Sequence, residues 1–436
     1  MPPAETGKIV MERNRGTWGR NMEYNRSRRK FWTARYAVIN ATYFMGFCGV
    51  HAYASIFMLE RGFTNSRIGL LLALANVFSV VMQPIIAGLI DRPGKLTNQK
   101  AASFCTAAVI VLSLALSFVE KEKAAIFIIF MLIYMIQMAY QPIIIAMNFE
   151  YAEKGCSINF GLARGLGSVG FAVYSPILGT LLEHHSVSVI HIGDALVLTV
   201  GLLFLLTFKL SDKSEVPALL DEEKAKGEGT EKRAADHEQE QAAHNNFFDF
   251  AKHYPAFMLF LLSTILVFFA HNMINDYLIQ IIKPLGGTER HVGYATSMAA
   301  VIELPTMALF AGMVKKISCE KLLVVSTVFF TVKVAILFLA TGIAGVFASQ
   351  FCQLAAYALF IPASAYYASM VMERADQVKG QAYVNCAITL SGTFSGLICG
   401  RILDVAGPKV MLGCGVTASF LGAVLAVAAV RKRGNR

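Results

Sequence analysis

Long apolar runs separated by short polar segments make up most of this chain. Twelve such runs can be distinguished, and each has the length of about 20 residues that an α-helix needs to cross a bilayer. They cover residues 34–59, 66–90, 101–119, 124–147, 159–182, 188–208, 255–281, 291–314, 321–341, 344–370, 380–403 and 408–430. The pattern predicts an all-α membrane protein with twelve transmembrane helices, because a helix satisfies its own backbone hydrogen bonds in lipid.

One polar segment, residues 209–250, is much longer than the others. It contains the run DEEKAKGEGTEKRAADHEQEQAAHNN, which has almost no large apolar residue and therefore cannot bury a core. We interpret this segment as a solvated linker. It divides the chain into an N-terminal half, residues 34–208, and a C-terminal half, residues 251–430, with six predicted helices in each.

The two halves resemble each other at corresponding loops. GLIDRPGK (88–95) closes the second apolar run, and AGMVKKIS (311–318) closes the eighth. ILGTLLEHH (177–185) and ICGRILDVAG (398–407) close the fifth and the eleventh in the same way. Parallel six-helix repeats joined by a polar linker are typical of transporters that carry a substrate between their halves. We therefore expect two pseudo-symmetric six-helix bundles.

Composition and charge agree with a membrane protein. Hydrophobic residues make up 56% of the chain and charged residues only 16%, against ~25% charged in a typical soluble domain. The tails, residues 1–33 and 431–436, are basic, whereas residues 211–246 hold ten acidic and five basic residues, a net charge of −5. Because basic segments stay in the cytoplasm, both termini are expected there, with the protein in the plasma or inner membrane. The linker is expected on the same side, because six predicted spans separate it from each terminus.

Composition and charge also restrict which partners and cofactors are expected. The net charge of +10 reflects topology and does not indicate nucleic acid. The eight cysteines form no CxxC pair, so neither zinc nor a disulfide framework is expected. The predicted partners are the lipid bilayer and a small-molecule solute, and we expect the chain to act as a monomer. No cofactor is expected besides a coupling ion, which would be a proton or alternatively sodium.

Three motifs resemble those of a known transporter family. GLIDRPGK (88–95) is similar to the cytoplasmic loop signature of the major facilitator superfamily. FSVVMQP (78–84) and FGLARGLGSVGFA (160–172) resemble more narrowly the branch that contains lactose permease, the nucleoside symporters and the phenylpropionate permeases. The resemblance covers residues 35–430 and implies the major facilitator fold. It also implies transport by alternating access.

The loop after the second helix is a candidate gate. Gly88 and Gly94 permit a tight turn, Asp91 can accept hydrogen bonds from a neighbouring helix end, and Arg92 and Lys95 lie at headgroup level. In the family this loop forms a cytoplasmic gate, and Asp91 matches its acidic position. The alternative is a basic turn that only determines topology.

Arg164 stands in an otherwise uncharged stretch of the fifth predicted helix. A lone guanidinium in a bilayer is unfavourable by several kcal/mol, so it should face a polar cavity or a partner. Its planar fork of donors suits hydroxyl groups or a carboxylate. The resemblance to lactose permease implies contact with a sugar, although relatives with other substrates share the motif. The alternative is a structural pair with Glu150 or Glu153.

Three further ionisable residues, Asp276, Glu303 and Lys333, lie at membrane depth in the C-terminal half. The resemblance places Asp276 and Glu303 at acidic positions of lactose permease and Lys333 near an arginine. The permease's histidine and glutamate are missing from the tenth helix, where residues 356–362 read AYALFIP. Glu303 is therefore our first candidate for the proton-coupling group and Asp276 the second. A permanently paired network, sodium coupling and facilitated diffusion stay open as alternatives.

Polar side chains within the apolar runs complete the candidate substrate site. Amide and imidazole groups donate and accept hydrogen bonds, which suits a polyhydroxylated or heteroaromatic ligand. Each of them could equally form a hydrogen bond between helices. Besides Arg164, the candidates are His51, Gln83, Gln141, Asn272, Asn275, Gln353 and Asn385.

These observations predict a secondary active transporter that moves a small polar solute by alternating access, with proton symport as the expected coupling. A sugar, an oligosaccharide or a nucleoside is the expected solute. The alternatives are an efflux antiporter of the same fold and a non-transporting membrane sensor. An enzyme is not expected, because the sequence contains neither HExxH nor Gly-x-Ser-x-Gly.

Overall fold

A computed structural model of the protein describes residues 29–90, 96–119, 121–153, 158–209 and 247–434. These residues are almost entirely helical, and no strand occurs among them. Ten of their helices are long and apolar enough to cross a membrane, and a bent pair forms an eleventh. The predicted all-α membrane class is thus confirmed.

Six helices form the N-terminal bundle. The first one bends by 48° after a π-helical turn at Cys48–Ala52. The six are α1 (Arg29–Ala52, continued as Ala54–Glu60), α2 (Asn65–Ile90), α3 (Asn98–Leu116), α4 (Lys123–Glu153), α5 (Phe160–His184) and α6 (Ser188–Leu206).

The C-terminal bundle follows the short helix Phe247–His253. A second short helix, Leu278–Ile282, connects its first two spans. The spans are α7 (Pro255–Asp276), α8 (Glu289–Met313), α9 (Cys319–Leu339), α10 (Ile343–Phe351 and Tyr357–Val371, joined by the turn Cys352–Leu354) and the continuous stretch Gln377–Gly434.

The stretch Gln377–Gly434 contains two spans. Its 58 residues would extend about 87 Å as one helix at 1.5 Å per residue, nearly three times the ~30 Å hydrocarbon core. Gly407 interrupts it with φ 78° and ψ 178°, a conformation that glycine adopts readily, and Pro408 follows. We call residues 377–406 α11 and residues 408–434 α12. The described part of the chain therefore contains all twelve predicted spans.

Buried apolar side chains show how the two bundles meet. One cluster crosses between the halves, with Tyr53 and Leu71 from the first and Met273 and Tyr277 from the second. Towards the linker, each half instead has a cluster of its own. Since burial of apolar surface drives packing, the halves share a core at the end away from the linker. They do not share one at the linker end.

Candidate functional site

Helices α2 and α11 come into backbone contact at the end away from the linker. A Cβ atom at Gly69 would overlap the carbonyl group of Gly396, and one at Gly400 would overlap the backbone of Asn65. Glycines at such positions allow two helices to approach more closely than any other residue permits. The glycine spacing of α11 therefore places this pair of helices at the interface between the halves.

Asp404 reinforces that contact from the end of α11. Its carboxylate accepts the backbone N–H groups of Asn65 (3.0 Å) and Ser66 (2.8 Å). It also accepts hydrogen bonds from the side chains of both residues, at 2.9 and 2.5 Å. The first N–H groups of a helix have no partner within the helix, so Asp404 of one half caps a helix of the other half.

A second polar contact joins α5 to α8 at the same end. Glu183 accepts a hydrogen bond from Arg290 Nε at 2.7 Å, and also from Arg290 Nη2 and the Thr288 hydroxyl. Deeper along the same pair, the Ser175 hydroxyl lies 2.6 Å from that of Thr296. Charge-assisted hydrogen bonds are the stronger kind. Together with Asp404, this contact closes the interface at the end away from the linker.

The helices are apart at the linker end. A side chain added at Gly88 of α2, Gly161 of α5 or Gly312 of α8 would meet no other atom within 4 Å. The separate apolar clusters of the two halves agree with this gap. The proposed gate residues Asp91, Arg92, Gly94 and Lys95 lie outside the described residues, so Gly88 is the only one of the five predicted gate residues that can be placed.

Arg164 lies on α5 inside this opening. Its guanidinium carbon is 4.0 Å from the centre of the Phe44 ring of α1, and its Nη1 lies 3.4 Å from the Ser168 hydroxyl. The guanidinium forms no ion pair with any carboxylate of the described residues, which include Glu150 but not the side chain of Glu153. Stacking on an aromatic face stabilises a cation without neutralising it. Arg164 therefore retains donors for a ligand.

Glu303 of α8 lies within electrostatic range of Arg164. Gln353 of α10 donates to the Glu303 carboxylate at 2.7 Å and accepts from the ammonium group of Lys333, on α9, at 2.6 Å. Lys333 is buried, with 1% of its surface exposed. The amide of Gln353 thus connects Glu303 to Lys333, which are not in direct contact with each other. Tyr357 lies within electrostatic range of both Glu303 and Arg164.

Asp276 lies apart from this network. It ends α7, its backbone carbonyl accepts the Ser55 hydroxyl of the other half, and its neighbours include Tyr134 and Tyr277. Its carboxylate forms no hydrogen bond with the described residues. The structure therefore connects two of the three predicted ionisable residues through Gln353, and places the third beneath the closed end.

The other predicted polar residues occupy varied environments. His51 lies between the rings of Phe47 and Tyr134, with centroids 3.8 and 3.7 Å away. Three amides have protein partners and two have none among the described residues. Gln83 donates to the Met138 carbonyl, Asn272 to Ser391, and Asn275 lies 3.0 Å from His271, whereas Gln141 is half-buried and Asn385 exposed.

Sequence reasoning missed one residue at the site, Phe44, and one buried acid elsewhere in the membrane, Asp194. Phe44, which stacks on Arg164, looked like any other apolar residue of the first run. Asp194 of α6 was also missed, although a carboxylate within the run IHIGDALVL is a detectable signal. It is completely buried and hydrogen-bonded to Ser113 and Gln137.

A family model identifies the class of protein that has this fold. The model described as "MFS_1 like family" matches residues 35–411. The match covers most of the chain, so the protein belongs to this family of major facilitator transporters. The resemblance seen in the sequence motifs is confirmed at this level. No curated protein matches the chain.

Solved structures agree on the fold. The nucleoside transporter NupG is 13% identical, with a TM-score of 0.72 over 92% of this chain and 98% of its own. A POT family transporter, solved in complex with a thioalcohol-conjugated peptide, is 12% identical, with a TM-score of 0.66 over 92% and 96% of the two chains. At these identities the likeness concerns the fold alone. The protein is a multi-pass membrane transporter.

Proposed function

We propose that this protein is a proton-coupled symporter that carries a sugar, an oligosaccharide or a nucleoside across the cell membrane by alternating access. The observation that carries the proposal is the position of Arg164 and Glu303. They lie on opposite halves and face one opening between them. A solute bound there would contact both halves, as alternating access requires.

The proposed coupling depends on the interactions of the Glu303 carboxylate with Gln353 and with Arg164. As a carboxylate it attracts Arg164 across the opening and accepts a hydrogen bond from Gln353. On protonation it would lose the charge that attracts Arg164, and a bound solute would then be the main polar partner of the guanidinium. Proton and solute binding would then favour each other, since linkage between two sites is reciprocal.

The proposed solute class rests on the chemistry around the opening. Arg164 supplies donors, while Tyr357, whose ring is stacked on His271 with centroids 5.1 Å apart, supplies an aromatic face. Hydroxyl groups and a flat base or sugar ring suit such a surface. A nucleoside is our first choice, with support at the level of fold analogy from the transporter NupG.

We further propose that the linker end faces the cytoplasm, as the basic tails indicate. The conformation described here would then be open inward and closed outward. Transport would require the contacts of Asp404 and Glu183 to break while the linker ends of the same helices come together.

The test is uptake into proteoliposomes that hold the purified full-length protein. Labelled uridine, lactose and raffinose are offered with the vesicle interior made alkaline, and external pH is recorded in parallel. We expect one of them to accumulate, with protons moving in the same direction, and a protonophore to abolish accumulation. Proton movement opposite to the solute would indicate an antiporter, and uptake indifferent to the gradient would contradict coupling.

A further inference from the structure

Asp194 is a buried carboxylate inside the N-terminal bundle, away from the interface between the halves. Its Oδ2 accepts the Ser113 hydroxyl of α3 at 2.8 Å, and its Oδ1 accepts Gln137 Nε2 of α4 at 3.1 Å. All three side chains have no exposed surface. Three helices thus aim polar groups at one point in an apolar interior.

Among the residues that the structure describes, no positive charge balances this carboxylate. The titratable groups that face it are the hydroxyls of Tyr140 on α4 and Tyr174 on α5. Helix α1 presents Gly46, where a Cβ atom would overlap the Asp194 carboxylate. His191 lies one turn earlier on α6, and its ring has no hydrogen-bond partner among the described residues. An ionised carboxylate without a counter-charge is strongly unfavourable in such a place, whereas a neutral carboxylic acid is not.

Gln137 provides the partner that a carboxylic acid would need. Its Oε1 atom is buried and has no hydrogen bond within the described residues. The two ends of an amide are assigned from the surrounding hydrogen bonds, and with the amide turned over, Oε1 would face Asp194. A protonated Asp194 would donate its O–H to that oxygen, while Ser113 continues to donate to the other carboxyl oxygen. Oε1 would then have a partner, and Nε2 would take the position that Oε1 now occupies.

Gln137 also connects this position to the opening. Its backbone carbonyl accepts the Tyr43 hydroxyl of α1 at 2.7 Å. The next residue along α1 is Phe44, on which Arg164 stacks. A change in the hydrogen bonding of Gln137 can therefore reach the helix that positions Arg164 through one contact.

We infer that Asp194 is a second proton-binding site, separate from Glu303, which takes up a proton from solvent to become a neutral acid hydrogen-bonded to Gln137. Its role in coupling rests on the proposed symport, but the site itself does not. In a symporter, this acid would add a second proton to each cycle and would act on Arg164 through α1.

Infrared difference spectroscopy of the full-length protein in liposomes tests the site without any solute. A pH titration is followed at the C=O stretch of protonated carboxyl groups, in parallel for the wild type, Asp194→Asn and Glu303→Gln. We expect Asp194→Asn to remove the signal of one buried carboxylic acid, and Glu303→Gln to leave that signal in place. An unchanged carboxyl signal in Asp194→Asn would overturn the inference.

Ser113→Ala keeps the carboxylate and removes one donor to its ionised form. The Asp194 signal should then persist to higher pH, because the charged form loses a hydrogen bond. A merely structural Asp194 would show no such change. Repeating the titration in sodium chloride and in choline chloride distinguishes proton binding from sodium binding at Asp194. Loss of the carboxylic acid signal in sodium alone would identify a sodium site and overturn the proton assignment.

Discussion

An arginine and a glutamate on opposite halves dominate the site at the scale of single residues. Arg164 stacks on Phe44 and contacts no described carboxylate. Glu303 accepts a hydrogen bond from Gln353 and lies within electrostatic range of Lys333 and Arg164. Neither charge is fully neutralised by a direct partner. Ionised groups within a membrane protein usually mark the path of an ion or a substrate.

Glu303→Gln should abolish accumulation of solute against a gradient and leave counterflow exchange intact. Glutamine keeps the size of the side chain and can still pair with Gln353, but it cannot gain or lose a proton. The measurement compares both activities in proteoliposomes, with the exposed Glu122→Gln as the matched control. Normal accumulation in Glu303→Gln would remove this residue from the coupling mechanism.

Arg164→Lys should weaken solute binding about tenfold or more, because one charge-assisted hydrogen bond contributes roughly 1.5–3 kcal/mol and an ammonium cannot reproduce the guanidinium fork. Binding is measured by thermal shift or calorimetry with the solute found in the uptake assay. Arg401→Lys, an exposed arginine of α11, is the control. Equal affinity in wild type and Arg164→Lys would assign Arg164 a structural role.

At the scale of helices, the contact between α2 and α11 depends on the absence of side chains. Gly69 and Gly396 face each other across the interface, and each leaves no room for a Cβ atom. The same two helices continue towards the linker, where the halves have separate cores. Helices that are close at one end and separated at the other are expected when the two halves rotate as rigid bodies about the middle of the membrane.

Gly69→Ala should prevent α2 and α11 from closing at the end away from the linker. The added methyl group would overlap the carbonyl of Gly396, so amide hydrogen exchange should accelerate in residues 65–72 and 396–402. Hydrogen exchange followed by mass spectrometry measures this directly. Gly161→Ala adds the same group where no atom lies within 4 Å and should leave both segments unchanged. Equal exchange in the two variants would contradict the close contact.

At the scale of the whole molecule, the two bundles meet at one end through a shared apolar core, a close glycine contact and a small set of polar contacts. Asp404 caps α2, and Glu183 binds Arg290 and Thr288. These contacts join one bundle to the other and contribute to the described conformation. A modest energy difference between the two access states is what a carrier requires.

Asp404→Asn should weaken closure at that end by about 1–3 kcal/mol, the usual effect of losing hydrogen bonds to a charged group. Faster hydrogen exchange at the start of α2 would report the change, and Asp249→Asn in the short helix before α7 serves as control. Adding Glu183→Gln should increase the effect, because the two contacts support the same closed state. Exchange that stays at the wild-type rate would show that Asp404 does not hold the interface.

The sequence by itself determined the class of the protein, its twelve spans and the family motifs. Hydropathy is a local property that adds along the chain, so the length of each apolar run was sufficient to place a helix. It was also sufficient to mark Arg164 and Glu303 as charges within the membrane. The break at Gly407 lies between two apolar runs, residues 380–403 and 408–430, which the hydropathy pattern already separates.

Only the tertiary structure decided which of these residues meet. Gln353 connects Lys333 to Glu303, Asp276 lies elsewhere, and Asp404 caps a helix more than 300 residues away in the chain. Such contacts depend on the rotation and tilt of each helix. In a membrane protein, apolar residues cover both the lipid-facing and the buried side of a helix, so the hydrophobic pattern carries little information about which side faces a neighbour.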